Sequence, residues 1–436
     1  MKWSKYNYIF DSKKHGKFLY NSFMNFLWKI NDDIYEDIIK IKKNHYSENK
    51  DDKLIKLLIA NRILVEKNNV DCDNFIFQNQ LKAFEKGYLS YTIMPTLDCN
   101  FRCPYCFEDN VNQKSMTEEV ELKTIRYIKK NAKCAKLLNV TWYGGEPLLK
   151  FDSIKRISKE LVKLKLSYNA SMVTNGYLLN ENVISQLKDL HINSLQITID
   201  GLEETHNLKR PHYKNNDSFS RIILNLDKLF SKKESKIRVA LRINVDNDNA
   251  EEFIEIYKFL EGRYGEKVFI YPGIIKDWSG KADGFSCGFN KKEEVAFRIE
   301  QYEKHGLKPI NFFPTHTAPC VAERVYDYVI GPEGELYKCW NDVGKSDFIV
   351  GSIFNDKANV ELLTKYLVSV DSFKSEKCKD CFFLFVCGGG CPSQKLRNKF
   401  DGTSFDTCTY FKYNLDKFLE IHFELKNIDE IKELTY

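Results

Sequence analysis

Strand-like and helix-like segments alternate between residues 89 and 271, and this alternation constrains the fold of the 436-residue chain more than any other feature. The segments with strand character are Ser90–Thr96, Val140–Trp142, Ala170–Thr174, Ser194–Asp200, Arg238–Val245 and Val268–Tyr271. The segments with helical character separate them, at about 117–132, 151–165, 180–190, 217–231 and 250–263. This alternation predicts an α/β fold with a parallel sheet, and six strands predict a partial barrel instead of a complete eight-stranded one.

The first 88 residues lack this alternation and predict a separate small domain with a winged-helix-like pattern. Its expected elements are two strands, two helices and a third strand, at Tyr6–Phe10, Lys17–Tyr20, about 34–43, about 53–60 and Arg62–Glu66. A linking helix is predicted over Asp73–Lys86, with Asp73 as its N-cap.

Beyond about residue 310 the sequence becomes loop-rich and carries many cysteines, and the amphipathic residues 410–434 predict one closing helix. We therefore expect three domains, at residues 1–88, 89–309 and 310–436.

Composition excludes several classes of protein. Hydrophobic residues make up 43% and charged residues 29% of the chain, which is ordinary for a globular protein. No stretch of about 20 apolar residues predicts a membrane span, and the N-terminus lacks the apolar core of an export signal, so a cytoplasmic location is expected. The net charge of +5 is small, and no basic stripe with interleaved aromatic residues predicts nucleic-acid binding.

The thirteen cysteines are too sparse for a disulfide scaffold and are expected to be reduced thiols. Ten of them fall into two groups, at residues 99–106 and 320–408, and closely spaced reduced cysteines indicate metal binding. The other three, Cys72, Cys134 and Cys287, are scattered and are expected to act as small hydrophobic residues.

The first group is the run CNFRCPYC, in which Cys99, Cys103 and Cys106 lie within eight residues. Three thiolates can bind three corners of a 4Fe–4S cubane and leave one iron open to a ligand from outside the chain. A structural zinc site is the alternative, but it needs a fourth Cys or His close by, and His191 and His206 are far along the chain.

This run resembles the CxxxCxxC loop of the radical S-adenosylmethionine (AdoMet) superfamily, including the aromatic Tyr105 before the third cysteine. The resemblance implies that AdoMet chelates the open iron through its amino and carboxylate groups. It also implies that one electron, supplied by an external donor such as flavodoxin or ferredoxin, cleaves AdoMet to methionine and a 5′-deoxyadenosyl radical. The protein would bind and orient these groups and exclude water.

Two glycine-containing turns agree with the resemblance. The run Gly144-Gly145-Glu146-Pro147 is similar to the family's GGEP turn, whose backbone meets the AdoMet amino group, and glycine permits that close approach. The run Thr174-Asn175-Gly176 ends the third strand as the family's TNG does, near the cofactor. Both turns are therefore expected to contact AdoMet.

Polar residues on the fourth and fifth strands extend the likeness. Thr198 and Asp200, followed by Arg210, are similar to the family's S-x-D-G…H…R run, in which Thr198 and Arg210 would bind the AdoMet carboxylate. Arg242 in the run LRINV is also at a family-like position. For Asp200 and Arg242, a structural salt bridge is an equal alternative.

Seven cysteines of the second group resemble the SPASM extension of radical AdoMet enzymes. The resemblance implies two auxiliary 4Fe–4S clusters, and therefore three clusters in all. One auxiliary cluster would be bound by Cys378, Cys381, Cys387 and Cys408. The other would be bound by Cys320, Cys339 and Cys391. A zinc ribbon is the alternative for the last four cysteines of the group.

One departure from the family bears on the substrate. Relatives that mature sulfatases carry an eighth cysteine shortly before the position of Cys320, whereas residues 311–319 contain none. The cluster on Cys320, Cys339 and Cys391 is therefore expected to have an open iron that can bind a substrate thiolate. His316 or Cys287 could instead supply the missing ligand.

These features predict a peptide maturase that forms a thioether or a carbon–carbon cross-link in a ribosomally made precursor peptide. Residues 1–88 resemble a leader-recognition domain, which takes up the precursor's leader as an added strand. Asp277, placed after the sixth strand, is a candidate proton acceptor. The alternatives are an anaerobic sulfatase-maturating enzyme, which forms formylglycine, and a non-catalytic iron–sulfur electron carrier.

Overall fold

The computed structural model describes residues 1–43, 53–66, 70–106, 114–215, 217–231, 236–275, 288–307, 319–426 and 433–434. Asp277, Cys287 and His316 lie outside the described residues, as does the side chain of Cys72. Every structural statement below refers to the described part of the chain.

The N-terminal region contains short strands and three helices. In chain order these are β1 (Lys2–Trp3), β2 (Asn7–Ser12), β3 (Gly16–Asn21), β4 (Phe26–Ile30), α1 (Asp32–Lys42), α2 (Lys53–Ala60), β5 (Leu64–Val65) and α3 (Val70–Ala83). Strands β2, β3 and β4 form an antiparallel sheet, and β1 pairs with β5. The predicted hairpin is confirmed, whereas β4 was not predicted. The expected N-cap at Asp73 is wrong, because α3 already begins at Val70.

The central region has the predicted partial barrel. Its strands are β6 (Tyr88–Ile93), β7 (Leu137–Trp142), β8 (Ser167–Thr174), β9 (Ile192–Ile199), β10 (Arg238–Val245) and β11 (Val268–Ile274). Its helices are α4 (Glu118–Asn131), α5 (Phe151–Val162), α6 (Glu181–Gln186), α7 (Glu203–Lys209), α8 (Phe219–Ser231) and α9 (Phe253–Tyr264). The six strands pair in sequence order and all in parallel, so the α/β fold class is confirmed.

The burial pattern of β7 explains why the helices cover one face of this sheet. Leu138, Val140 and Trp142 are buried against the helical layer, and the residues between them point to the other, inner face. On helix α5, Ile154, Ile157 and Leu161 are buried and share one helix face. The inner face carries none of the helices that the structure describes between these strands and is available for a site.

The C-terminal region continues the same sheet. Its elements are α10 (Lys291–His305), β12 (Tyr328–Ile330), β13 (Glu335–Tyr337), β14 (Gly351–Ser352), β15 (Asn355–Ala358), α11 (Val360–Thr364), α12 (Leu384–Cys387), α13 (Pro392–Phe400), α14 (Leu415–Leu425) and β16 (Glu433–Leu434). Strand β12 pairs in parallel with β6, and β13 to β15 follow as antiparallel strands. The sheet therefore has ten strands and joins the barrel to the cysteine-rich region.

The expected closing helix over 410–434 is wrong in its extent. The helix α14 ends at Leu425, and the backbone of Lys426 is extended. Leu415, Phe418, Leu419 and Ile421 form the buried face of this helix. Further along, β16 pairs in parallel with β4.

The N-terminal sheet packs against helices from the far end of the chain. Phe10, Phe18 and Tyr20 share a buried cluster with Phe418 and Ile421 of α14. The carboxylate of Glu424 accepts hydrogen bonds from Lys14 Nζ at 2.6 Å and Tyr302 Oη at 2.7 Å. The first and last parts of the chain therefore share one core.

No helix in the described part of the chain combines the length and the apolar character that crossing a membrane requires.

Helix α8 offers a matched test of the packing between helix and sheet. Leu226 is fully buried, whereas Leu224 on the same helix is 44% exposed. We expect Leu226→Ala to lower the free energy of unfolding by about 2–5 kcal/mol, since it leaves a cavity in the core. Leu224→Ala should change it by less than about 0.5 kcal/mol. Urea denaturation followed by circular dichroism measures both, and equal losses would contradict this packing.

Candidate active site

The candidate site lies at the carboxyl ends of the barrel strands, where active sites of such barrels gather. A cavity of about 480 Å³ opens there. Its walls come from the loop after β6, the turn after β7, the ends of β8, β9 and β10, and the C-terminal region. The described residues with key roles in its lining are Cys99, Cys103, Tyr105, Cys106, Gly144, Gly145, Asn175, Thr198, Arg210, Arg242, Asn244, Cys320, Lys338, Cys339, Trp340 and Cys391.

The cysteine loop that follows β6 is held by backbone contacts to residues 211–213. Arg102 N donates to Pro211 O at 3.0 Å, and Tyr213 N donates to Asn100 O at 3.0 Å. Within the loop, Phe101 N donates to Cys99 Sγ at 3.3 Å. The loop is therefore fixed on the segment that follows α7.

Tyr105 is the centre of a buried polar network. Its hydroxyl donates to Asp200 Oδ2, and it accepts from Arg210 Nη1 at 2.6 Å and from Asn244 Nδ2 at 3.2 Å. Asp200 Oδ1 lies 3.9 Å from Arg210 Nη1. These contacts join the cysteine loop to the ends of β9 and β10.

Burial dominates the protonation of this network. Burial raises the pKa of Asp200, although Arg210 and the Tyr105 hydroxyl act in the opposite direction. Burial also lowers the pKa of His206, whose Nδ1 accepts from Asp200 N at 3.2 Å. A neutral His206 therefore fixes the end of β9 and carries no charge into the site.

The two glycines after β7 lie against the backbone of the loop that precedes the cysteines. Gly145 N donates to Thr96 O at 3.2 Å. A Cβ on Gly144 would lie 2.2 Å from Thr96 O, and one on Gly145 would lie 2.3 Å from Asp98 O. Gly144 also has a φ of +122°. Only glycine fits at these positions, which agrees with the predicted close approach.

Glu146 lies in the predicted AdoMet turn, behind the lining of the cavity. Its buried carboxylate does not line the cavity but accepts hydrogen bonds from Leu148 N at 3.0 Å, Thr174 Oγ1 at 2.7 Å and Asn175 N at 2.7 Å. Asn175 Nδ2 in turn donates to Asn100 Oδ1 at 2.7 Å. Glu146 thus ties the turn after β7 to the end of β8.

The predicted cofactor residues divide into two groups by position. Those whose atoms line the cavity are Tyr105, Gly144, Gly145, Asn175, Thr198, Arg210 and Arg242. Those that are buried behind this lining are Glu146, Thr174 and Asp200. The second group is suited to holding the first group in place.

The polar atoms around the cavity fit a zwitterionic ligand. Arg210 Nε, Arg242 Nε and Asn244 Oδ1 are buried and have no hydrogen-bond partner among the described residues. Such groups are costly unless a ligand or water satisfies them. The amino and carboxylate groups of AdoMet supply acceptors and donors of the required kind.

The thiols of the cysteine loop also fit a metal cluster. Burial raises the pKa of Cys99 to about 12 and raises the pKa of Cys103 as well. A bound metal reverses this effect, because a coordinating thiol is deprotonated. These buried thiols lie together on the cavity wall.

Cys320, Cys339 and Cys391 line the same cavity. Burial raises the pKa of Cys339, and Asp342, Cys391 and Cys320 add to the effect. The loop of Cys339 is joined to the helix after Cys391 by Asp342, whose carboxylate accepts from the Arg397 guanidinium. The fold therefore brings this predicted trio together.

Three of the remaining four cysteines of the second group, Cys378, Cys381 and Cys387, lie close together. Cys378 and Cys381 raise the pKa of Cys387, after the larger effect of burial. The Cys387 sulfur accepts from the backbone N–H of Thr409, the residue that follows Cys408. No three His, Cys, Asp or Glu side chains in the described ranges converge as ligands of a single metal ion do. A cubane spreads its thiolates over several irons and does not require such convergence.

Three consecutive glycines join the two sets of C-terminal cysteines. Gly388, Gly389 and Gly390 have φ angles of +63°, +86° and +80°. A Cβ on Gly389 would lie 1.9 Å from Ser372 Oγ, and one on Gly390 would lie 2.0 Å from Thr407 O. The three central positions of the run CGGGC therefore require glycine.

Sequence reasoning missed several residues of the site. Asn244 lies two positions after Arg242 on the same face of β10, so the strand period could have identified it. Tyr143 and Trp340 stack with ring centroids 6.1 Å apart, and Lys338 is fully buried on the cavity wall. No local pattern connects these three residues, because they meet only through the pairing of β12 with β6.

Comparison with known proteins agrees with this geometry. Residues 93–260 match the model of the Radical SAM superfamily. The cysteine-type anaerobic sulfatase-maturating enzyme of Clostridium perfringens is 25% identical over 379 residues, which cover 77% of this chain and 96% of that protein. The serine-type enzyme of Klebsiella aerogenes is 23% identical over 321 residues, which cover 68% and 77%.

Two solved structures share the fold. Native anSMEcpe with bound AdoMet and Cp18Cys peptide has a TM-score of 0.59 at 21% identity and covers 77% of this chain and 97% of its own. SuiB of Streptococcus suis has a TM-score of 0.51 at 15% identity and covers 90% of this chain and 95% of its own. The overlay with SuiB leaves out a tenth of the chain, about 44 of 436 residues.

The close approach at Gly145 can be tested against a glycine with free space. We expect Gly145→Ala to lower the free energy of unfolding by about 1–3 kcal/mol, because the added Cβ displaces the Asp98 carbonyl. Gly262 in α9 has no atom within 4 Å of an added Cβ, so Gly262→Ala should raise stability by about 0.5–1 kcal/mol. Urea denaturation measures both variants, and a Gly145→Ala variant as stable as Gly262→Ala would refute the contact.

Proposed function

The chain is a member of the radical SAM superfamily, and we propose that it modifies a peptide substrate by AdoMet-dependent radical chemistry. The observation that carries this proposal is the cavity of about 480 Å³. Its lining includes Cys99, Cys103 and Cys106 of the first cysteine group and Cys320, Cys339 and Cys391 of the second. A substrate held in this cavity would lie within reach of both sets of thiols.

The first cysteine group and the residues around it suit the binding of a cluster and AdoMet. Cys99, Cys103 and Cys106 would hold a 4Fe–4S cluster with one iron open. When bound, the cluster and AdoMet supply a 5′-deoxyadenosyl radical, which abstracts a hydrogen atom from an unactivated carbon. Arg210 and Thr198 would bind the AdoMet carboxylate.

The backbone of Gly144 and Gly145 is close to the cysteine loop and would meet the amino group of AdoMet. Asn175, which lines the cavity, is held by Glu146 and would orient the ligand beside the cluster. The buried Nε of Arg242 and Oδ1 of Asn244 would form hydrogen bonds with the ligand. The chain's own task is thus orientation and the exclusion of water.

The second cysteine group suits electron transfer and substrate binding. We assign one auxiliary cluster to Cys378, Cys381, Cys387 and Cys408, and the other to Cys320, Cys339 and Cys391. With three thiolates, the latter cluster keeps an iron that a substrate cysteine can bind. The buried ammonium of Lys338 beside it is satisfied by Arg324 O at 2.6 Å and Asp327 O at 2.8 Å.

The N-terminal region supports a substrate with a leader. The overlay with SuiB leaves out about 44 residues of the chain, so at least half of residues 1–88 lie within the matched part. SuiB has been solved bound to its precursor peptide SuiA. An antiparallel sheet such as β2–β3–β4 can take up an extended leader as a further strand. We therefore favour a precursor peptide as the substrate.

For the reaction we propose a cross-link, either a thioether to a cysteine sulfur or a carbon–carbon bond. The substrate would lose one hydrogen atom to the radical, and one proton and one electron as the new bond forms. An auxiliary cluster would accept the electron, and a flavodoxin or ferredoxin would supply the electron that starts the reaction. The open iron favours the thioether, because it would hold the sulfur beside the radical.

Sulfatase maturation is the second candidate. It is favoured by the curated relatives, of which the Clostridium perfringens enzyme matches over 96% of its own length. The absence of an eighth cysteine in residues 311–319 and the additional N-terminal sheet weigh against it. A non-catalytic electron carrier would not need the polar residues around the AdoMet site, and is disfavoured. Asp277 remains a proposed proton acceptor.

Radical chemistry is tested with matched cysteine variants. We expect anaerobically reconstituted protein to form 5′-deoxyadenosine from AdoMet and dithionite, and Cys103→Ala to form none, since the cluster loses a ligand. The same variant should lose about one third of the iron, because three cubanes are expected. Cys134 is exposed, and Cys134→Ala should keep both. Absence of 5′-deoxyadenosine from iron-replete wild type would refute the proposal.

The two candidate reactions differ in their product. A cross-linked peptide carries no new carbonyl group, whereas formylglycine is an aldehyde and reacts with a hydrazide probe. We expect a cysteine-containing precursor peptide encoded beside this gene to lose two hydrogens and to remain unreactive to hydrazide, as measured by mass spectrometry. A sulfatase-derived cysteine peptide serves as the comparison, and its conversion to a hydrazide-reactive product would establish the second candidate.

A further inference from the structure

The side chains of the described residues do not fill the inner face of the barrel sheet. Closed barrels of this type pack their interior with bulky branched side chains. Here the inner positions of four adjacent strands carry small or polar residues, namely Thr141, Ser171, Ser194, Gln196 and Ala240. The result is a cavity of about 650 Å³ that opens to solvent.

This second cavity adjoins the candidate active site. Five residues line both cavities: Tyr143, Val173, Gln196, Arg242 and Trp340. Its volume is in the range of ligand-binding clefts. An extended chain that enters along the sheet would therefore reach the site from the amino ends of the strands.

The charges on this channel have one sign. Two of the described residues that line the channel are charged, Arg238 and Arg242, and both lie on β10. The described lining contains no Asp or Glu. Arg238 is exposed and makes no ion pair within the described ranges. Phe269 and the stacked Tyr143–Trp340 pair supply apolar walls. A positive site with apolar walls selects a ligand that carries a carboxylate.

We propose that this channel binds the segment of the substrate peptide next to the modified residue, and that Arg238 binds an acidic side chain of that segment. The inference rests on the proposed peptide substrate. Arg238 and Arg242 are four residues apart on one strand, or about 13 Å at ~3.3 Å per residue. The acidic residue therefore lies about four residues from the one that enters the active site.

A synthetic probe tests this subsite without the natural precursor. The probe is the capped, fluorescein-labelled peptide Glu-Ala-Ala-Ala-Cys-Ala-Ala-Ala-Glu, and its match carries Gln in place of both Glu residues. Fluorescence anisotropy measures binding to the anaerobically reconstituted, AdoMet-bound full chain. We expect the Glu peptide to bind about tenfold more tightly than the Gln peptide, since it gains a charge-assisted hydrogen bond.

Three variants locate the effect. Arg238→Gln should abolish the preference for Glu, and Arg238→Lys should retain most of it. Arg221→Gln, on the outer helix α8, should leave the preference unchanged. Equal binding of the two peptides by wild type, no binding of either, or a preference that survives in Arg238→Gln would each overturn the proposal.

The proposed chemistry is measured separately. Formation of 5′-deoxyadenosine without peptide should be the same in Arg238→Gln as in wild type, which also reports that the variant is folded. A wild-type chain that prefers the Glu peptide but forms no 5′-deoxyadenosine would refute the radical chemistry and support the subsite. A chain that forms 5′-deoxyadenosine but shows no preference would refute the subsite alone.

Discussion

The site depends on the buried carboxylate of Glu146. It accepts three hydrogen bonds and thereby fixes the turn after β7 to the end of β8. Asn175, positioned by this contact, reaches across to Asn100 in the cysteine loop. If this buried acceptor were lost, each of its donors would be left without a hydrogen bond. One carboxylate therefore holds the turn after β7, the end of β8 and, through Asn175, the cysteine loop in position. Tyr105 also joins separate segments through one buried group, because its hydroxyl forms hydrogen bonds with Asp200, Arg210 and Asn244.

The arrangement of the sheet explains how two distant cysteine groups share one chamber. Residues 99–106 follow β6, and β12 pairs in parallel with the same strand more than 200 positions later. The chain must therefore return to the edge of the barrel before Cys339 can line the same cavity as Cys99. The N-terminal sheet in turn packs on α14, so the first and last parts of the described chain share one core.

Much of the fold was predictable because it follows local periodicity. The six strands, and most of the helices between them, lie where the pattern of apolar residues predicted. The extent of α14 and the start of α3 were not predictable, since they depend on partners elsewhere in the chain. Many of the residues that the motifs pointed to line one cavity, but the spacing of a motif carries no information on the direction of its side chains. For Asp200 the sequence left cofactor binding and a structural salt bridge open, and for Glu146 it predicted only a place in the turn at AdoMet. The carboxyl groups of both residues are buried, and burial raises the pKa of each. Trp340 and Arg238 belong to no motif and become visible only in three dimensions.

The glycine run between Cys387 and Cys391 has a consequence for the order of assembly. Glycine loses more conformational freedom on folding than any other residue, and three in succession make this segment costly to order. Glycine has no side chain whose packing could offset this loss of entropy. The offsetting interactions must therefore come from the residues at the two ends of the run. The two cysteines that flank it belong to different proposed clusters. When a cluster binds at one end, it orders part of the glycine run, so less entropy is lost when the second cluster binds at the other end. We therefore expect the two clusters to bind cooperatively.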